Sequence, residues 1–207
     1  NRRRGGFIKQ RILTALIALP LLFAFLYYST AGIFALVAAV FSLIGLLEFN
    51  RMALLGERVA EQYLGAVAGS LLIIPLYLQR FDLLLFFLIS TLLLLAFMYL
   101  FKLGPLDQLI FRLGWQVMGL IYLPLLLGHL VLLRQLPDGR GWVFLVLFSV
   151  MACDSLAYFV GSSFGKHKLY PAVSPKKSIE GGLGGLVGSC LGVWLAKVLF
   201  LPALSIE

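Results

Sequence analysis

The residues able to do chemistry crowd into one stretch of an otherwise apolar chain, positions 154–185. Four lysines stand there, Lys166, Lys168, Lys176 and Lys177, with the hydroxyls of Ser174 and Ser178 between and beside them. Pro175 restricts the backbone, and Gly181, Gly182, Gly184 and Gly185 let a chain approach a ligand closely. Ser178 is placed to cap a helix beginning near Glu180, and a helix start offers N–H groups and a positive dipole end to an anion. Cations, donors and a helix N-terminus together make a polyphosphate site. The same residues also suit a solvated basic loop followed by glycines for helix packing. The segment is not a Walker A loop, because no GxxxxGK[ST] is present.

Two carboxylates accompany the lysines. Asp154 falls inside a long apolar run, where a charge costs at least about 2.5–3.5 kcal/mol and so needs a polar cavity or a partner. It is either a wall of a substrate or cation site, and then the candidate metal ligand, or one half of an interhelical hydrogen bond or structural ion pair. Tyr158, four residues on, shares its helix face. Glu180 could neutralise a lysine, help hold a cation, bind a substrate hydroxyl, or serve as a plain helix N-terminal acid. His167, between two lysines, is a candidate phosphate contact, whereas His129 has no acidic or cysteine partner nearby in sequence and is read as structural. Cys153 and Cys190 form no CxxC pair and read as small buried hydrophobes. No Ser/His/Asp set, zinc signature or redox motif occurs.

The elements that must position these groups are membrane helices. The chain is 61% hydrophobic and only 13% charged, against about 45–50% and 25% in a soluble domain. A mean hydropathy of +1.01 over 207 residues excludes a soluble fold of that size, which would expose too much apolar surface. Seven apolar stretches approach the roughly 20 residues that a spanning helix needs: 12–28, 31–47, 63–79, 83–101, 113–133, 142–161 and 183–201. The runs are continuous rather than alternating, which argues against a barrel. The first two are joined so tightly, through Ser29-Thr30-Ala31, that they form a helical hairpin, and Pro75 kinks the third. The expected fold is therefore an all-α, polytopic transmembrane bundle of about seven spans. It forms one integral domain over 1–207, with N-terminal spans at 12–133 and the chemistry-bearing spans and loop at 142–201.

With the N-terminus cytoplasmic, thirteen of the basic residues lie inside: Arg2, Arg3, Arg4, Lys9, Arg11, Arg51, Arg58, Lys102, Arg112 and the four loop lysines. Only Arg80, Arg134 and Arg140 lie outside, with Lys197 snorkelling from the last span. This asymmetry follows the positive-inside rule and puts the 161–185 loop in the cytoplasm. The net charge of +8 therefore reads as topology and anionic lipid; no basic-aromatic platform for nucleic acid is present. The basic N-terminal flank leads into an apolar run too long for a signal peptide, with no cleavage site standing out.

The Asp-Ser-x-Ala-Tyr-Phe-x-Gly stretch at 154–161, Phe-Gly-Lys-His-Lys-Leu at 164–169, Ser-Pro-Lys-Lys-Ser-x-Glu-Gly at 174–181 and Gly-Gly at 184–185 form a long, specific run. It resembles the phosphatidate cytidylyltransferase family, also called CDP-diacylglycerol synthase. Lys-Gln-Arg-Ile-Leu-Thr-Ala at 9–15 and Glu48-Phe49 look like further parts of the family pattern. The resemblance implies a bacterial inner-membrane enzyme that converts CTP and phosphatidate to CDP-diacylglycerol and pyrophosphate with magnesium, with a homodimer as a candidate assembly. It implies catalytic roles for Asp154, Lys176, Lys177 and Glu180. Substrate contacts would come from Tyr158, Lys166, His167, Lys168, Ser174, Pro175, Ser178, Gly181 and Gly182. Family members carry a further C-terminal signature with the main cation-binding acids, so the chain is expected to be C-terminally incomplete. Competing readings are a CTP-dependent lipid or polyprenol kinase, and a transporter or scaffold. A transporter would be expected to place polar groups in several helices, often with repeats.

The topology has a direct test. A cysteine placed at Ser163 is expected to react with membrane-impermeant reagents only after the inner face is opened; labelling from outside intact cells would overturn the orientation.

Overall fold

The structure, a computed structural model, describes residues 16–53, 59–101 and 106–203. Arg2, Arg3, Arg4, Lys9, Arg11, Arg58 and Lys102, together with the 9–15 motif, lie outside the described residues. The described chain is helical apart from one short ribbon: α1 (Leu16–Tyr28), α2 (Ala31–Ala53), α3 (Val59–Leu71), α4 (Ile73–Tyr77), α5 (Phe81–Leu100), α6 (Leu106–Gln135), α7 (Gly139–Phe164), β1 (Lys168–Tyr170), β2 (Ser174–Ser178) and α8 (Ile179–Phe200). Five of these, α2, α5, α6, α7 and α8, are long and apolar enough to cross a membrane. The fold is thus the expected all-α membrane class. It divides into two compact units, Asn1–Gln135 and Leu136–Glu207.

Four expected spans differ in detail. The described part of the first is the short helix Leu16–Tyr28. The third is broken into α3 and α4, with Leu72 as the joint, where its N–H turns back to the Gly69 carbonyl at 3.1 Å. Pro75 is the cause: it has no N–H to give to Leu71, and its ring crowds that carbonyl. The sixth and seventh stretches reach further than the apolar runs suggest, as α7 and α8, and carry the helices up to the basic loop itself.

The first unit is organised by residues small enough, or polar enough, to bring helices together. Leu72, Leu95 and Leu120 form its core, with Leu64, Leu84, Leu88, Leu92 and Leu113 packed around them. Close approach occurs at Gly69, where an added Cβ would meet Leu46 at 2.6 Å and Leu120 at 2.8 Å. Two buried carboxamides tie α3 to its neighbours: Asn50 Nδ2 donates to the Gln62 carbonyl at 2.9 Å, and Gln116 Nε2 to the Glu61 carbonyl at 3.0 Å. Arg134, expected as an outer-face charge, is buried at the end of α6, and its guanidinium donates to the Ser29 carbonyl at 2.6 Å in the α1–α2 turn.

The second unit is a helical hairpin, α7 against α8. Lipid tails are as apolar as leucine, so helices in a membrane gain little from burying apolar side chains and associate by close packing of small residues. Gly184, Gly188, Gly192 and Ala196, spaced four apart, are all buried. An added Cβ at Gly184 would strike Val160 at 2.7 Å and the Leu156 carbonyl at 3.1 Å; at Gly188 and Gly192 it would strike the Ala152 and Phe148 carbonyls. Stacked rings of Phe144 and Phe200, 4.4 Å apart, close the far end.

Gly188→Leu is therefore expected to cost at least about 1–3 kcal/mol by overpacking against backbone that cannot yield. Gly114→Ala, where nothing lies within 4 Å of the new Cβ, should be neutral or stabilising. Thermal unfolding in a mild detergent measures both; equal melting temperatures for the two variants would show that the α7–α8 contact is not a determinant of stability.

Candidate functional site

The site region is built where α7 ends and α8 begins. Gly161, Gly165, Ser178 and Gly181 converge there with no room for a side chain. A Cβ on Gly165 would meet the Gly161 carbonyl and the Ser178 Oγ, the latter at 2.6 Å. One on Gly181 would meet the Ala157 carbonyl at 2.9 Å and the Gly161 Cα at 3.1 Å. Gly165 has φ −68°, so glycine is required here by contact rather than by backbone conformation. Gly182, by contrast, faces open space.

Ser178 is buried and caps α8, its Oγ accepting the Gly181 N–H at 3.1 Å. The Ile179 N–H donates to the His167 carbonyl at 2.9 Å. Two of the four N–H groups in the first turn are thus already satisfied within the protein. The Gly182 N–H lies one turn beyond the Ser178 carbonyl, the position of the first intrahelical bond, so the expected anion site at this helix start keeps only the Glu180 N–H, beside the Glu180 carboxylate.

From this junction hangs a ribbon, β1 paired antiparallel with β2, Lys168 opposite Ser178 and Tyr170 opposite Ser174 with an irregularity between. Tyr170 and Val173 close its turn through a 3.2 Å backbone hydrogen bond. Lys166, Lys168, Lys176 and Lys177 are all exposed, as is Pro175; Ser174 is half-buried. Successive strand residues face opposite ways, so Lys176 and Lys177 present charge on both faces of the ribbon. Among the described residues none of the four lysine side chains forms an ion pair or hydrogen bond.

The two carboxylates are not brought together. Glu180 Oε1 accepts from His167 Nδ1 at 2.7 Å, and the His167 backbone N–H points at both carboxylate oxygens at 3.2 and 3.3 Å. Glu180 stands at the mouth of an open groove of about 420 Å³ lined by Leu156, Val160, Leu183, Gly184 and Val187. Leu156 and Val160 lie about 200° and 240° round α7 from Asp154. Asp154 therefore occupies the other side of the helix, exposed and turned away from α8, with exposed Tyr158 one turn on. It lies ten residues before the end of α7 at Phe164, or about 15 Å along the axis. Cys153, read as buried, is half-buried against Gly185, and Cys190 is exposed.

Sequence reasoning missed three features: the ribbon, the closure of Gly165 on Ser178, and the Glu180–His167 link. The tight run of Gly161, Gly165, Gly181 and Ser178 was a usable signal for that closure. Nothing in the spacing of thirteen residues from His167 to Glu180 signals their contact.

A model of the cytidylyltransferase family matches residues 9–206, nearly the full length. The chain belongs to this family. Among curated relatives of the cytidylyltransferase-family chain, the phosphatidate cytidylyltransferase of Pseudomonas aeruginosa is 37% identical over 86% of this chain and 66% of its own length. The Bacillus subtilis phosphatidate cytidylyltransferase is 29% identical over 95% and 72%, and that of Haemophilus influenzae 31% over 87% and 69%. The chain thus spans about two thirds of the length of these curated relatives.

Ser178→Ala removes the cap and is expected to cost about 1 kcal/mol and to speed amide exchange at Gly181. Unchanged exchange at Gly181 would mean that the hydroxyl does not hold the start of α8.

Proposed function

We propose that this chain is a phosphatidate cytidylyltransferase, transferring the cytidylyl group of CTP to phosphatidate in phospholipid synthesis. The observation that carries the reading is the lysine ribbon. Four cations without anionic partners, Lys166 just before a short hairpin and the other three on it, are held where glycine contact and the Ser178 cap fix the hairpin to the end of two membrane helices. Such a charge array is incomplete without an external polyanion. The apolar flanks of α7 and α8 face the phase in which phosphatidate resides, and the ribbon faces water, where CTP is. The basic asymmetry supports the cytoplasm as that water, and the bacterial relatives support an inner membrane as the site.

The reaction suits these residues. A phosphatidate phosphate oxygen attacks the α-phosphorus of CTP, the bond from that phosphorus to the bridging oxygen breaks, and pyrophosphate leaves. The nucleophile is already an anion, so no strong base is needed, and the work is positioning and charge stabilisation. Lys166, Lys168, Lys176 and Lys177 hold phosphate oxygens. Ser174 and the ring of Tyr158 are free to meet substrate, Pro175 stiffens the ribbon, and Gly182 leaves room for a ligand against backbone. Ser178 and Gly181 serve the helix junction.

Magnesium, implied by the resemblance, needs oxygen ligands, usually one or two carboxylates beside phosphate and water. The described residues do not fit it on their own. They hold no cluster of three His, Cys, Asp or Glu side chains, and Asp154 and Glu180 lie on different sides of α7.

Lys176→Ala with Lys177→Ala should weaken CTP binding by roughly two orders of magnitude, at about tenfold for each lost charge-assisted contact. Raised salt should weaken binding to the parent protein. Titration of CTP into the protein in lipid measures this, and an unchanged affinity would reduce the ribbon to a topology signal. With labelled CTP and phosphatidate, release of pyrophosphate supports the transferase, while release of CDP would indicate a lipid kinase instead.

A further inference from the structure

We infer that Glu180 is a positioning residue: it sets the lysine ribbon through His167, and its carboxylate is not a cation ligand. The geometry is specific. Three parts of His167 return to the first turn of α8: its N–H and its Nδ1 to the Glu180 carboxylate, and its carbonyl to the Ile179 N–H. A carboxylate has no proton to give, so Nδ1 is the donor. With N–H, carbonyl and ring all held, His167 has little freedom in φ, ψ or χ1. Lys166 and Lys168 are its immediate neighbours, and Lys168 opens β1 opposite Ser178. The directions of two of the four cations, and the attachment of the ribbon to the helices, therefore pass through this one residue. The need for such an anchor follows from the ribbon itself. Its strands are three and five residues long and almost wholly exposed, too little to hold a shape in water without support.

The same contacts argue against a ligand role. Oε1 already receives two N–H groups, and the rest of the groove beside Glu180 is apolar, with Leu156, Val160, Leu183 and Val187. No second carboxylate lines that groove. That the ribbon holds a nucleotide rests on the function proposed above. The anchoring does not, and the two are read separately.

The test uses the full chain in lipid nanodiscs with Glu180→Ala, Glu180→Gln, His167→Ala and the double alanine variant. Glutamine keeps an oxygen able to accept both His167 donors; alanine keeps none. Amide exchange at His167 and Lys168 should rise about tenfold or more in Glu180→Ala and stay within about threefold in Glu180→Gln, the range expected for charge-assisted against neutral hydrogen bonds. CTP affinity should follow the same order, and His167→Ala should add little on top of Glu180→Ala, because residues acting through one contact are not additive. The magnesium dependence of turnover should be the same in Glu180→Gln as in the parent. If Glu180→Gln raises the magnesium requirement as much as Glu180→Ala while exchange at His167 is unmoved in both, Glu180 is a cation ligand and the inference is wrong. Faster exchange in Glu180→Ala with CTP affinity unmoved would keep the anchor and remove the nucleotide reading of the ribbon.

Discussion

Two helices in lipid have no water to expel from between them, and that absence governs the second unit. Attraction must come from atoms brought into contact over a long seam, and contact between backbones is possible only where one partner has almost no side chain. Gly181, Gly184, Gly188 and Gly192 supply this along α8, against the Ala157, Leu156, Ala152 and Phe148 carbonyls of α7, and Gly185 meets Cys153. The seam brings the last turn of α7 against the first turn of α8. Only because those ends touch can Ser178, Gly165 and Gly161 interlock, and only from that knot can a ribbon of eight strand residues stand out from the membrane helices.

The chemistry of the loop follows from what the knot consumes and what it leaves. It consumes the polar groups that would otherwise meet an anion, the Ser178 hydroxyl and the N–H groups of Ile179 and Gly181, and it occupies the Glu180 carboxylate, which would repel one. It leaves the four lysines without partners. Like charges this close repel, and a surface that tolerates them is prepared for a ligand carrying several negative charges. Helix-dipole attraction plays a smaller part here than the side-chain cations, because the helix start is already capped.

Much of this was legible in the residues. Composition and run length made the fold class plain, since each α-helical span must satisfy its own backbone and declares itself as an apolar stretch. Pro75 marked the weak third span because a missing N–H is a local property. The lysine loop and the Ser178 cap were legible for the same reason. What stayed hidden was nonlocal. Arg134 carries a charge that orientation rules assign to a surface, yet it reaches the Ser29 carbonyl across a separation of 105 residues. Glu180 offered four equally good roles on paper, and the partner it takes, His167, was not among them. Asp154 was recognised as unusual, but which side of α7 it occupies is decided by the glycines of another helix.

Those glycines have one more consequence. What Gly181, Gly188 and Gly192 meet first on α7 is main chain: the Ala157, Ala152 and Phe148 carbonyls are presented by any residue type whose side chain points elsewhere. At these three positions glycine has no substitute, because the space a side chain would need is filled by its neighbour's backbone. The two strands of this helical hairpin thus carry unequal shares of the instructions for their own assembly. α8 carries its share as a row of glycines, and α7 carries a smaller one, at Gly161, Val160 and Phe144.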